Sequence, residues 1–275
     1  MPTRIVPNMF HQIAPYAQAV ARHPQARRAL CFGDSWFQYP PHAIDVSKLL
    51  ARSFRQSLFL NEAVPGRDSA QWKLGLPRVQ REIGSFQFDA ILLSTGGNDI
   101  VGSEMAEFVK TPTRPQSIGT RDWGVVPPVV FDFVRLETFQ HALEYAIKDF
   151  AEVVGYRDAS APQSIVFVHT YDYIFPDGRP YRLGPLTLGP WVRPAFEAVG
   201  LLDPVEQRVV TGWLLDQFAA ALRAYASITP NFRVIDSRGT LTTARQWGNE
   251  IHPTASGFRR IVDACWLPAL RGILA

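Results

Sequence analysis

Two cysteines in 275 residues cannot make a disulfide framework, and Cys31 and Cys265 both stand in apolar surroundings that suit buried free thiols. The six histidines form no cluster with cysteine, so no structural zinc pattern is present. Long apolar runs are missing too: none approaches the roughly 20 residues that cross a bilayer. Residues 1–28 lack the charged and apolar segments of a secretory leader and are interrupted by Pro7, Pro15 and Pro24. A soluble, cytoplasmic protein with no transmembrane segment is expected. Charge of one sign is scarce: 28 Lys and Arg against 25 Asp and Glu leave +3, dispersed along the chain. Nucleic acid is therefore not an expected partner, despite a pI near 9.0. No repeat, low-complexity tract or linker divides the chain, which predicts one domain over 1–275.

What is present is apolar residue, 47% of the chain, enough for a substantial core. Five short runs bounded by turn residues read as strands: 29–32, 57–60, 90–94, 165–169 and 232–236. Most are apolar nearly throughout, the pattern of strands covered on both faces in a parallel sheet. Between them, apolar residues recur every three or four positions over 138–154, 206–225 and 257–270, predicting helices. Strand alternating with helix predicts an α/β fold, a three-layer α/β/α sandwich with a mostly parallel, flavodoxin-like five-stranded sheet. Two stretches, near 101–130 and 175–204, are rich in Pro or Gly and read as long loop insertions. The second carries Tyr181, Leu183, Leu186, Leu188 and Trp191, residues suited to walling or covering a cleft.

Three segments follow predicted strands and carry chemistry. Leu30-Cys31-Phe32 stops at Gly33-Asp34-Ser35. The run 90–94 ends at Gly96-Gly97-Asn98-Asp99, and Asn249-Glu250-Ile251-His252-Pro253-Thr254 precedes the last helix. Each alone is an ordinary turn sequence. Together they supply a hydroxyl, an amide donor and an imidazole, and an open α/β sheet gathers strand ends of this kind at one rim.

With Asn61-Glu62-Ala63-Val64-Pro65-Gly66 as a fourth block, the chain resembles the SGNH hydrolases, also called GDSL esterases and lipases. The blocks are Gly33-Asp34-Ser35, the Asn61 to Gly66 segment, Gly96-Gly97-Asn98-Asp99 and His252-Pro253, in matching order over most of the chain. The resemblance implies that Ser35 is a nucleophile and His252 its general base. It also implies that the N–H groups of Ser35 and Gly66 and the amide of Asn98 form an oxyanion hole. The chemistry requires such a set. A serine hydroxyl needs an imidazole to remove its proton. A tetrahedral intermediate needs fixed donors for its oxyanion, and losing one raises the barrier by about 3 kcal/mol.

The chain departs from the family pattern at Asn249, three residues before the histidine, where the family has Asp. An amide orients an imidazole but does not offset imidazolium charge. Three alternatives stand for the group on Nδ1: Glu250, a backbone carbonyl in a Ser-His dyad, or Asp236 at the end of the last strand. His169, closing the fourth strand, and Trp36, next to the serine, are candidates for substrate contact; the alternative for both is a bonded or packed place in the core.

The reading is a serine hydrolase that cleaves a carboxylic ester (lipid-like, aryl or acetyl) through an acyl-enzyme, without metal or cofactor. Its rivals are a binding protein on the same fold and, more remotely, a metal-dependent phosphoesterase using Asp34, Asp99 and His252. The latter lacks the Asp-x-His and Gly-Asn-His runs of two-metal sites.

Overall fold

The computed structural model describes residues 4–39, 43–112 and 120–275. In chain order the strands are β1 (Met9–Phe10), β2 (Arg28–Gly33), β3 (Leu58–Asn61), β4 (Ala90–Ser94), β5 (Ile165–His169), β6 (Tyr181–Leu183), β7 (Leu186–Leu188) and β8 (Phe232–Ile235). Six make one sheet in the order β1-β3-β2-β4-β5-β8, parallel at every pairing. The five strands read from the sequence are β2, β3, β4, β5 and β8. Their order, second-first-third-fourth-fifth, is the flavodoxin-like one. The sixth strand is only the two residues of β1, too short for any periodicity.

β4 explains why the sheet is covered on both faces: all five of its residues are buried, so neither face is left for water. The helices are α1 (Ile13–Arg22), α2 (Val46–Ser53), α3 (Ser69–Phe86), α4 (Gly97–Val101), α5 (Pro128–Phe133), α6 (Leu136–Ser160), α7 (Arg193–Ala198), α8 (Pro204–Ile228), α9 (Ala255–Ile261) and α10 (Leu267–Leu274). A π-helical turn, Val262–Trp266, joins the last two. α3, α6 and α8 pack side by side, while α2 packs on α9 and the π-turn. Several helices start on a carboxylate or hydroxyl that accepts an otherwise unpaired N–H: Asp45 from Lys48, Asp203 from Val205 with Pro204 at the first position, and Thr254 from Gly257.

The stretch 175–204 is not an irregular loop. It holds the β6-β7 antiparallel hairpin and α7. The stretch 101–130 contains a 3-10 turn at Ser103–Glu107 and the start of α5; residues 113–119 of that insertion lie outside the described residues. Both cysteines are free, Cys31 buried and Cys265 only half-buried, against the expectation for the latter. Among the described residues no helix is long and apolar enough to cross a membrane.

Candidate active site

β2 and β4 are neighbours whose connections leave in opposite directions along the sheet, so a crevice opens beyond their carboxyl ends. Ser35 follows β2 there. Gly33 is required by the neighbouring strand: a Cβ on it would lie 2.1 Å from the Ser94 carbonyl oxygen. The next residue, Asp34, fastens the turn from below. Its carboxylate accepts from Trp36 N–H at 2.9 Å, the Ser94 hydroxyl at 2.6 Å and the Tyr171 hydroxyl at 2.5 Å. Burial pushes this carboxyl up to about 6 against those hydrogen bonds, which favour its charged form.

Ser35 Oγ lies 2.7 Å from His252 Nε2. The opposite ring nitrogen, Nδ1, lies 3.0 Å from Asn249 Oδ1. Which end of the Asn249 amide faces the ring is decided by its other partners. The backbone N–H groups of Ile251 and His252 donate to Oδ1 at 3.1 and 2.9 Å, and Nδ2 reaches the Tyr39 hydroxyl at 3.0 Å. Oδ1 is therefore an acceptor, Nδ1 carries the proton, and Nε2 is free to take the proton of Ser35. The ring sits between Tyr39 and Trp191, at centroid distances of 4.5 and 5.6 Å. Burial, with no carboxylate to oppose it, pushes His252 down to about 3. Trp36 Nε1 donates to the Ile251 carbonyl at 3.2 Å, tying the serine turn to the histidine loop.

The three expected partners of Nδ1 are all replaced by this amide. Glu250 is fully buried but engaged elsewhere: Oε1 accepts from the N–H of Gly178 and Arg193, and Oε2 from those of Trp191 and Val192, at 2.6 to 3.1 Å. The two-residue offset from His252 turns its side chain toward the 175–204 segment. Asp236 pairs with Arg238 and Arg223 and accepts from Thr170. Burial raises this carboxyl, but the bonds from Arg238 and Thr170 outweigh it and hold the group at about 2. Among the described residues no backbone carbonyl bonds Nδ1 either; its partner is Asn249 Oδ1.

Gly66 and Asn98 come to the same rim. Gly66 has φ +73°, the left-handed region, with open space where a side chain would point, so its backbone conformation is what calls for glycine. Among the described residues neither Ser35 N–H nor Gly66 N–H meets an acceptor. Asn98 Nδ2 spends one hydrogen on the Arg67 carbonyl at 3.0 Å and keeps the other. Asn61 holds the two loops together: its amide donates to the Phe37 carbonyl at 2.8 Å and accepts from Ala63 N–H at 3.0 Å. The sequence offered Asn61 as the head of the fourth block and Tyr39 as a pocket or core aromatic beside the serine, but not their hydrogen bonds, since an asparagine closing a strand and a tyrosine in a loop carry no signal of their long-range partners.

His169 is not brought to an accessible surface, whereas Trp36, though 3% exposed, lines the notch beside Ser35. His169 is buried behind the serine turn; its Nε2–H donates to Ser94 Oγ at 2.9 Å and its Nδ1 accepts from Tyr171 N–H at 3.4 Å. Burial drives it down to about 3, leaving a neutral ring. Trp36 is packed among His169, Tyr171, Trp247 and Phe258. The crevice itself is tight: Ser35 is 6% and His252 5% exposed, and the notch beside Ser35 measures about 20 Å³. Among the described residues no three of His, Cys, Asp and Glu are grouped to hold a metal ion.

No family model and no curated protein sequence matches this chain. Solved structures do. The extracellular lipase of Streptomyces rimosus aligns with a TM-score of 0.54 at 18% identity, over 90% of this chain and all of its own. A lipase from a goat rumen metagenome aligns with a TM-score of 0.51 at 12% identity, over 86% of this chain and 95% of its own. At such identities the likeness concerns architecture alone: the chain shares the α/β fold of these two lipases, a parallel sheet flanked by helices.

Proposed function

We propose that this protein is a serine hydrolase that cleaves carboxylic esters through an acyl-enzyme on Ser35. The observation that carries the reading is the 2.7 Å contact between Ser35 Oγ and His252 Nε2, with Nδ1 anchored on Asn249. Ser35 Oγ attacks the ester carbon while His252 takes its proton, then returns it to the leaving alcohol. Water, deprotonated by the same imidazole, releases the acid. In this reading Ser35 N–H, Gly66 N–H and the spare hydrogen of Asn98 hold the developing oxyanion, the fixed donors such a step calls for. Asn249 is the third member in this scheme, orienting the ring without countering its charge, in the role expected of a carboxylate.

The test is covalent labelling. A fluorophosphonate probe followed by peptide mapping is expected to label the wild type at Ser35 alone, and Ser35→Ala is expected to take no label and turn over no ester. An unlabelled wild type that also leaves short-chain p-nitrophenyl esters intact would sink the proposal in favour of a binding protein on the same fold.

A further inference from the structure

Val64, Pro65 and Gly66 are exposed, and Arg67 after them is buried, with 8% of its surface accessible. As far as Val64 this segment is tied to β2: Glu62 N–H donates to the Cys31 carbonyl at 2.8 Å and Val64 N–H to the Gly33 carbonyl at 2.9 Å. Beyond that point Gly66 makes no hydrogen bond among the described residues. The place of its N–H therefore depends on how Arg67 is held.

Arg67 N–H donates to the Val64 carbonyl at 3.3 Å, and Nη1 reaches back to donate to the Glu62 carbonyl at 3.0 Å, so residues 62–67 close around one side chain. The guanidinium lies on the Phe32 ring, 4.4 Å from its centroid. Gly75 of α3 leaves room for that ring, since a Cβ there would come within 2.9 Å of it and 3.7 Å of Arg67 Nη2. Among the described residues no carboxylate pairs with this guanidinium; that of Glu62 is 2.5 Å from Arg78 instead. A charge buried in this way costs stability, and an apolar side chain would fill the space without that cost. On its other side the Arg67 carbonyl accepts from Asn98 Nδ2 at 3.0 Å. The two hydrogens of an amide share one rigid plane, so the bond that holds one aims the other.

We propose that Arg67 is a positioning residue for the oxyanion hole: its guanidinium pins the loop that presents Gly66 N–H, and its carbonyl aims the free hydrogen of Asn98. The inference rests on the hydrolase reading above, in which those two groups hold the oxyanion. Two donors from separate segments are thereby set by one residue. Arg67 does not line the notch at Ser35, so it leaves the binding of substrate to other groups. Acylation and deacylation both pass through an oxyanion, and a donor that acts there lowers both barriers. Loss of the pin therefore lowers kcat and leaves KM nearly unchanged.

Arg67→Met keeps the length and apolar contacts of the side chain without its donors. With near-ultraviolet circular dichroism unchanged, kcat for p-nitrophenyl acetate is expected to fall by about 30-fold while KM stays within about twofold. Arg67→Lys, which retains a donor for the Glu62 carbonyl, is expected to lose about tenfold in kcat at the same KM, and it carries the comparison if Arg67→Met does not fold. Arg67→Ala empties the guanidinium's place beside a hollow of about 500 Å³ that Arg67, Gln71 and Leu74 line. Millimolar guanidinium is expected to raise kcat of this variant by about tenfold, saturably, and to leave the wild type and Ser35→Ala unchanged. A loss caused by a weakened fold would not be repaired by a denaturing cation. If the wild type hydrolyses the ester but Arg67→Met stays within about threefold of it, or kcat and KM change together without rescue, the inference fails and the hydrolase stands. If the wild type neither hydrolyses esters nor takes a fluorophosphonate label, the hydrolase reading fails. The pin is then read from the Asn98 side-chain amide signals in nuclear magnetic resonance spectra, identified by their loss in Asn98→Asp. They are expected to shift in Arg67→Met, and unmoved signals overturn the inference as well.

Discussion

Asn249 determines how the His252 ring behaves as a base. With only a neutral amide on Nδ1, nothing offsets the burial that holds the imidazole at about 3, so it stays unprotonated well below the ordinary histidine value near 6.5. The acid limb of kcat/KM is accordingly expected below pH 6.5, measured with an ester whose own chemistry is pH-independent in that range. Asn249→Asp puts an opposite charge beside the ring and is expected to move that limb upward by about one pH unit or more. Asn249→Ala removes the anchor and should lower kcat by roughly 100-fold through loss of ring orientation, with the fold retained. Position 249 was visible in the sequence as a departure from the family pattern. Its role was not, because which atom faces Nδ1 depends on two backbone N–H groups and a tyrosine 210 residues away.

At the scale of elements, the β6-β7 hairpin and the turn into α7 are fastened to the histidine loop by Glu250. Four backbone N–H groups converge on its two oxygens, and Arg179 returns the connection by donating to the Trp247 and Ala244 carbonyls. Glu250→Gln sets an NH₂ group against two of those donors. It is expected to cost roughly 2 kcal/mol or more in urea denaturation, and to speed hydrogen exchange at Trp191, Val192 and Arg193. Its effect on kcat should be far smaller than that of Ser35→Ala; equal losses would return Glu250 to the catalytic machinery. The hairpin escaped the sequence reading because exposed Leu186 and Leu188, set among Gly and Pro, have neither the length nor the alternation of a buried strand. The central strands were legible for the opposite reason: in β4 every residue is buried and all but Ser94 are apolar because both faces are covered, and its observed bounds equal those read from the sequence.

For the whole molecule, acid stability is set by buried groups of opposite sign. His169 and His252 are held at about 3 by burial, so between there and 6.5 they bind protons only on unfolding, and stability falls as pH is lowered through that window. Asp34 and Asp172, both raised to about 6 by burial, act in reverse: their contribution is present below about 3.8 and is lost as pH rises through 6. Replacing His169 by Gln leaves the carboxylates in place. The loss of Tm between pH 6.5 and 4 should then be smaller than in the wild type, whatever the variant's absolute Tm. An unchanged slope would mean that His169 is not neutral in the folded protein.

Local composition by itself determined the parallel sheet, the residues that end its strands, and hence the rim at which Ser35, Asn98 and His252 meet, because burial on two faces and turn chemistry act within a few residues. Only the tertiary structure decided the rest. Glu250 or Asn249 on the imidazole, His169 behind the crevice and Trp36 at its wall all depend on contacts between segments far apart in the chain. Such contacts are settled by which side chains can be satisfied together once the layers close, and no spacing within one segment records that choice.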